Sequence, residues 1–295
     1  MKSGFVAILG QPNVGKSTLL NAILNEKVSI VSPKPQTTRD KILGIYNDED
    51  TQIVFIDTPG IHNAGNKLDE YMNKAISSAK NDVDVLVYVI DGTKKINDQT
   101  INILNRYTKD VKNIILVVNK IDDTTYEKLY PELNKLNALE CIKDIIPVSA
   151  MKGKNLDELL KVIKSYLTDD VRYYDDDIYT DKSVKFLVGE IIREKALWLL
   201  QDELPHGVAI EIVRFEEGER LTEIDADIII EKSTHKQIII GSKGQMLKNI
   251  GTKSRIDVEK LLDTKVMLKL FVKVREDWRH KDSVLKSLGY NQQDL

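Results

Sequence analysis

Gly10-Gln11-Pro12-Asn13-Val14-Gly15-Lys16-Ser17 stands directly after the apolar run Phe5-Val6-Ala7-Ile8-Leu9 and directly before the helical stretch Ser17–Asn25. The eight residues fit G-x-x-x-x-G-K-[ST], and a strand before and a helix after are what phosphate chemistry needs. Glycines let backbone N–H groups turn inward on an anion, and the N-terminus of the following helix adds its dipole. In that setting the Lys16 ammonium reaches the outer phosphates of a nucleoside triphosphate, and the Ser17 hydroxyl ligates Mg²⁺. A chance glycine-rich turn would lack both flanks.

Outward from this loop, short apolar runs alternate with amphipathic stretches. Ile53–Ile56, Val85–Ile90, Ile114–Val118 and Ile145–Val148 are strand-length and apolar throughout, as central strands covered on both faces are. Leu68–Lys80, Asp98–Thr108 and Leu156–Tyr166 lie between them or follow them with helical spacing. The alternation predicts an α/β fold with a doubly wound, mostly parallel sheet. Residues 41–46 add an edge strand, joined to Gln52–Ile56 through Asn47-Asp48-Glu49-Asp50.

Three more segments end strands at the edge where doubly wound sheets bind ligands. Asp57-Thr58-Pro59-Gly60 offers a carboxylate for Mg²⁺ through water and a Gly60 N–H for the terminal phosphate. Asn119-Lys120-Ile121-Asp122 offers Asp122 to guanine N1–H and the 2-amino group, Asn119 to tether loop and base, and the Lys120 stem to cover the ring. Ser149-Ala150 offers the Ala150 N–H to guanine O6. Adenine would lose both polar contacts, so the set selects GTP over ATP.

In order and spacing, residues 1–167 resemble the Ras-like P-loop GTPase domain. The resemblance implies GTP and GDP as ligands, Mg²⁺ as cofactor, and a first switch loop over residues 27–40. Either Thr37 or Thr38 would then complete the Mg²⁺ shell with Ser17 and Asp57. One position departs from the pattern: Ile61 stands where Ras-type proteins carry a water-orienting glutamine, and an alkyl chain cannot hydrogen-bond water. Bacterial GTPases with P-N-V-G-K-[ST] loops commonly hold a potassium ion with the asparagine, which puts Asn13 forward; simple loop filling is the alternative. His62 next to it reads as incidental.

Residues 168–181 have no period and six aspartates, which marks a linker before a second domain over 182–295. There a helix over 184–201 is followed by a break at Pro205-His206-Gly207, strands over 208–215 and 221–231, and a short apolar run at Gln237–Ile240 read as a strand. Gly241-Ser242-Lys243-Gly244 then opens a helix to Leu262, and an alternating strand over 265–274 closes the domain. Residues 232–255 contain six basic side chains and no acidic one, a switch in charge at the glycine loop that favours a polyanion over a merely solvated face. The loop and its order of elements resemble a type II KH domain, an α+β fold that clamps single-stranded nucleic acid. That resemblance makes Ile240, Gly241, Ser242, Lys243, Gly244, Lys248, Lys253 and Arg255 the RNA-binding candidates.

Over essentially the whole length the chain resembles the Era family of bacterial GTPases, on Gly10–Ser17, Gln36-Thr37-Thr38-Arg39, Ile191-Ile192-Arg193-Glu194-Lys195, Leu204-Pro205-His206, Ile240–Gly244 and Val272–Arg279. Gly207 stands where that family would carry a serine. The resemblance implies binding of the 3′ end of 16S rRNA, assistance to 30S subunit biogenesis, and loose peripheral association with the inner face of the membrane. A GTPase of tRNA modification is the alternative, disfavoured because the second domain lacks a cysteine or clustered catalytic side chains. A lone cysteine, Cys141, excludes an internal disulfide, no apolar run is long enough to span a membrane, and the N-terminus does not read as a signal peptide. A cytoplasmic monomer is expected.

Overall fold

The computed structural model describes residues 1–61, 64–80, 83–108, 111–136, 139, 141–201 and 204–292. Its backbone packs as two compact units. The first comprises Met1–Ser29, Thr38–His62 and Met72–Asp181; the second comprises Ile30–Thr37, Asn63–Tyr71 and Lys182–Leu295. Two short pieces of the N-terminal half therefore belong to the C-terminal unit, which no local pattern announces.

In the first unit six strands form one sheet: β1 (Lys2–Gly10), β2 (Ile42–Asn47), β3 (Thr51–Asp57), β4 (Val85–Asp91), β5 (Ile114–Asn119) and β6 (Asp144–Pro147). Their order is β2-β3-β1-β4-β5-β6, with β2 antiparallel at one edge and all other pairings parallel. Helices α1 (Lys16–Leu24), α2 (Lys67–Ala79), α3 (Asp98–Thr108), α4 (Tyr126–Leu136) and α5 (Leu156–Tyr166) connect the strands or close the fold. The fully apolar strand interiors bury both faces. Val6, Ile8, Phe55, Val87 and Val117 pack with α1 and α5 in one cluster, and Ala7, Leu9, Leu86, Tyr88 and Leu116 lie in another. α4 is a helix that the sequence reading does not name. Pro131 lies inside it, a residue that reads as a helix breaker, yet Leu129 and Leu136 are buried and hold it in place.

The stretch over 168–181, expected as a linker, contains no helix or strand but is bound to the sheet. Ser3 N–H donates to Asp169 O, and Ile45 N–H of the edge strand donates to Tyr179 O at 3.0 Å. Asn47 Nδ2 donates to Asp176 O, and Tyr173 packs edge-on against Phe5. Fully buried Gln52 organises the crossing. Its Oε1 accepts the N–H groups of Tyr173 and Tyr174 at 2.7 and 3.0 Å, and its Nε2 donates to Tyr174 O at 2.8 Å. A strap so placed shields strand-edge groups that would otherwise template pairing with another chain.

The second unit adds α6 (Val184–Leu199), β7 (Ala209–Glu216), β8 (Leu221–Ile230), α7 (Ser233–Ile240), α8 (Gln245–Leu262), β9 (Lys265–Val274) and α9 (Asp282–Ser287). β8 is central, antiparallel to β7 and parallel to β9, with a bulge at Ile212/Arg214. The apolar run ending at Ile240, read as a strand, is the helix α7. β8 already has partners on both sides. Within α7 only Ile239 is buried, whereas Ile238 is half exposed and the helix stops at Gly241. Trp278, fully buried, donates its indole N–H to Gly207 O at 3.0 Å. A Cβ at Gly207 would meet the Glu231 carboxylate only at 3.4 Å, so the corner works through its backbone carbonyl and the departure from serine is tolerated.

Replacing Gln52 by Ala should strip the strap of its buried partners and destabilise the first unit by about 2–4 kcal/mol. Urea unfolding and the rate of tryptic cleavage at Arg172 measure this; faster cleavage is expected even where the chain remains folded.

Candidate functional site

The parallel strands of the first unit end together, and the loops beyond them meet. β1 runs into the loop Gly10–Ser17, where Gly15 has φ 96° and a Cβ there would lie 2.3 Å from Asn119 Nδ2. No residue but glycine fits without moving that amide. Lys16, buried, donates to Gly10 O and Gln11 O, both at 3.1 Å, so its ammonium sits folded over the loop. Burial pushes its pKa down to about 8 against the opposing pull of Asp57.

Asp57 ends β3 and is fully buried. Its Oδ2 accepts the Ser17 hydroxyl at 2.7 Å and the Ser29 hydroxyl at 2.9 Å, while its Oδ1 is buried with no hydrogen-bond partner. Burial raises the carboxyl pKa despite Lys16 and the two hydroxyls. Ser17 Oγ also lies 2.8 Å from Thr38 Oγ1. Of the two neighbouring threonines, Thr38 is the one whose hydroxyl lies beside Ser17. The Thr37 hydroxyl is instead engaged by Lys34 O and Ser32 Oγ, both at 2.7 Å.

Asn119 ends β5 and ties three loops together. Its Nδ2 donates to Val14 O at 2.9 Å and its Oδ1 accepts the Ala150 N–H at 3.0 Å. The Ala150 N–H, expected to face guanine O6, is therefore already engaged within the protein. Lys120 adopts φ 66° and its Nζ bridges Asn13 O at 2.8 Å and Asp91 Oδ2 at 2.7 Å. Burial would raise the Asp91 carboxyl, but hydrogen bonds from Lys120 and Thr93 outweigh it and the net shift is downward. Asp122 is exposed, and a hydrogen bond from Ser149 lowers its pKa. Ile121 opens the short helical turn that presents it.

Among the remaining candidates, Thr58 donates to Ile8 O at 2.8 Å and so braces two strands rather than facing the loop. Gly60 approaches Pro12 closely enough that a Cβ would meet its backbone at 2.8 Å. Ile61 donates its N–H to Gly10 O at 3.1 Å and packs its side chain in an apolar cluster with Ala7, Leu9 and Ile76. Asn13 is exposed at φ 63°. His62 lies outside the described residues. Asp91, Ser29 and Asn21, whose side chain holds Val28, Ser29 and their loop, escaped the sequence reading. Asp91 alone left a signal, as an acidic residue ending an apolar strand.

In the second unit Gly241–Gly244 joins α7 to α8 through a short helical turn, with Lys243 at φ 50°. A Cβ at Gly241 would meet Met246 Cβ at 2.7 Å, so the loop folds tightly onto the start of α8. Below it runs an open groove lined by Gly244, Leu247, Lys248, Gly251, Arg255 and Leu270, among others. Ser242, Lys243 and Lys253 are exposed but stand outside the lining, and Ile240 is half-buried beneath the loop. Arg275 pairs with Glu211 and Arg279 with Glu231, so the basic closing segment holds the fold together.

Comparison with known proteins agrees with this layout. The family described as 50S ribosome-binding GTPase matches residues 5–120, and the KH domain family matches residues 203–279. GTPase Era of Clostridium kluyveri is 48% identical over 291 residues, covering 98% of this chain and 99% of the relative. That of Clostridium acetobutylicum is 48% identical over 289 residues and 98% of each chain. A crystal structure of Era with MgGDPNP and nucleotides 1506–1542 of 16S ribosomal RNA superposes with TM-score 0.95 at 38% identity, over 98% of this chain and 99% of that one. A variant of Aquifex aeolicus Era bound to GDP·AlF4⁻ gives TM-score 0.94 at the same identity and coverage.

Proposed function

This chain belongs to the Era family of GTPases, and on that premise we propose that it is a GTP-driven switch that holds the 3′ end of 16S rRNA and assists assembly of the 30S subunit. The observation that carries the reading is the Ser17 hydroxyl, bonded to the buried Asp57 carboxylate and in reach of the Thr38 hydroxyl, in a chain that also presents Gly241–Gly244 above a basic groove. Two hydroxyls and a carboxylate are hard oxygen donors, and the unpartnered buried Asp57 Oδ1 fits a site for a small divalent cation. Ser17, Thr38 and Asp57 would hold Mg²⁺, which would neutralise charge on the β- and γ-phosphates.

The rest of the chemistry belongs to the chain. Loop N–H groups between Gly10 and Ser17 cradle phosphates at the start of α1, and Lys16 leaves its carbonyl partners to meet them. The exposed Asp122 carboxylate, kept ionised, accepts from guanine N1–H and the 2-amino group. Ala150 N–H shares its donation between Asn119 and guanine O6. Ile61 is committed to the apolar cluster and holds no water; the exposed Asn13 would hold a potassium ion, which would neutralise transition-state charge. In the second domain Lys248 and Arg255 contact the phosphates of a single strand whose backbone passes the glycine loop. The tRNA-modification reading has no observation in its favour. Membrane association is peripheral, as the family resemblance implies; no helix among the described residues is long and apolar enough to cross a bilayer.

GTP should compete at least tenfold better than ATP, and Asp122→Asn should shift preference to xanthosine nucleotide; equal ATP and GTP affinity would remove the base assignment. Turnover by the isolated protein is expected to be slow, on the order of 10⁻⁴ to 10⁻² s⁻¹. It should be faster in K⁺ than in Na⁺, with the difference erased in Asn13→Ala; equal wild-type rates in the two salts exclude the ion. Lys248→Glu with Arg255→Glu should weaken binding of a 16S rRNA 3′-end oligonucleotide by at least about tenfold at one fixed salt, with GDP affinity unchanged.

A further inference from the structure

The second unit contains residues 30–37, the first switch segment, and the side chains that hold this segment come from one face of α6. Glu194, 3% exposed, accepts the Val31 N–H at 3.0 Å. Trp198 Nε1 donates to Val31 O at 2.9 Å. Arg193, 1% exposed, donates through Nη2 to Thr37 O, while Glu190 receives its Nε at 2.7 Å and fixes the guanidinium plane. The loop is thus gripped at both ends and by its backbone. Such contacts follow the path of the chain, not the identity of its side chains. Thr38, one residue beyond the second grip, is the residue whose hydroxyl lies 2.8 Å from Ser17 Oγ.

The same helix continues the network away from the loop. Lys195 pairs with Glu194 at 2.8 Å and with Asp257 of α8. α8 starts at the glycine loop and carries Lys248, Gly251 and Arg255 of the groove. Stability alone does not account for two buried charges, Arg193 and Glu194, with three half-buried partners. Val188, Ile191, Ile192 and Ala196 already give α6 its apolar seat, and a buried ionic network contributes less than well-packed apolar groups would. Arg193 Nη1, moreover, is buried without a hydrogen-bond partner, a spare donor for a second path of the same loop. The start of α2 is drawn into the same unit: Gln36 Nε2 donates to Asp69 Oδ1 at 2.9 Å, and Tyr71 packs on Tyr290.

We propose that Arg193 and Glu194 are positioning residues for GTP hydrolysis, which clamp residues 31–37 by the backbone, set the place of Thr38, and pass the state of that loop through Lys195 and Asp257 to the RNA groove on α8. The proposal rests on the GTPase and RNA reading given above. A clamp of this kind biases a loop with two arrangements, and whatever it does to RNA affinity RNA must do to it.

The test uses the full chain and four proteins: wild type, Glu194→Ala, Glu194→Gln and Trp198→Phe. Single-turnover GTP hydrolysis, GDP affinity, and affinity for a 16S rRNA 3′-end oligonucleotide with GDP or a non-hydrolysable GTP analogue are measured for each. Glu194→Ala should lower the hydrolysis rate by about fivefold or more with GDP affinity within about twofold, because GDP does not need the first switch. Its RNA affinity should differ between the two nucleotides by less than about twofold, against the several-fold difference expected of the wild type. Glu194→Gln keeps an oxygen acceptor for Val31 N–H and should recover most of the rate. Trp198→Phe removes one donor from an exposed ring and should slow hydrolysis by about two- to threefold, so it decides the matter if Glu194→Ala does not fold. A lowered melting temperature with wild-type hydrolysis and wild-type nucleotide dependence of RNA binding marks these residues as structural and overturns the proposal. If the wild type binds no rRNA oligonucleotide, the RNA reading fails while the hydrolysis measurements still decide the clamp.

Discussion

Parallel pairing in register governs the nucleotide-facing edge. Ile8 of β1 lies opposite Asp57 of β3, Gly10 opposite Val89 of β4, and Asp91 of β4 opposite Asn119 of β5. In a parallel sheet the chain leaves every strand in the same direction, so the residues that end the strands gather on one edge. A slip of one residue in any pairing would send each apolar side chain to the opposite face and each terminal polar group away from its partners. Burial of both faces makes such a slip costly. The hydrophobic effect thereby sets the positions of Asp57 and Asn119 although neither is hydrophobic.

With that edge in place, polar side chains need few bonds to complete a site. Asn119 joins Val14 and Ala150, Lys120 joins Asn13 and Asp91, and Asp57 gathers Ser17 and Ser29. Each is buried or half-buried, where an unmet hydrogen-bonding group is expensive. The loops are therefore tied to one another by the chain's own side chains, which lowers the cost of ordering them for a ligand. Ile61 follows the same logic from the apolar side: its position beside the phosphate loop serves packing, so catalysis must draw on other groups.

The second unit solves a different problem. Its three strands cover only one layer, and α6, α7 and α8 supply the rest of the core. That arrangement frees the N-terminus of α8 and the glycine loop for contact with a strand of nucleic acid. It also lets α6 present Arg193 and Glu194 to the switch segment while its neighbours Ile191, Ile192 and Ala196 stay in the core. One helix thus faces residues 31–37 on one side and the core that carries α8 on the other.

Much of this was legible in the order of residues. The phosphate loop, Asp57, the Asn119–Asp122 segment, the strand β9 and the helix α5 follow from local spacing, since strand and helix periods are properties of neighbouring residues. What is local in cause is local in signal. Long-range pairing decided the rest. The Ile238–Ile240 run is the end of helix α7, with Ile239 turned into the core. The Thr37 carbonyl accepts from Arg193, more than 150 positions away in the chain, while the Thr38 hydroxyl lies beside Ser17. The strap over 168–181 is ordered because Gln52 had amide groups to satisfy. Partners so distant in sequence leave no periodicity behind them; only the folded chain brings their donors and acceptors within reach.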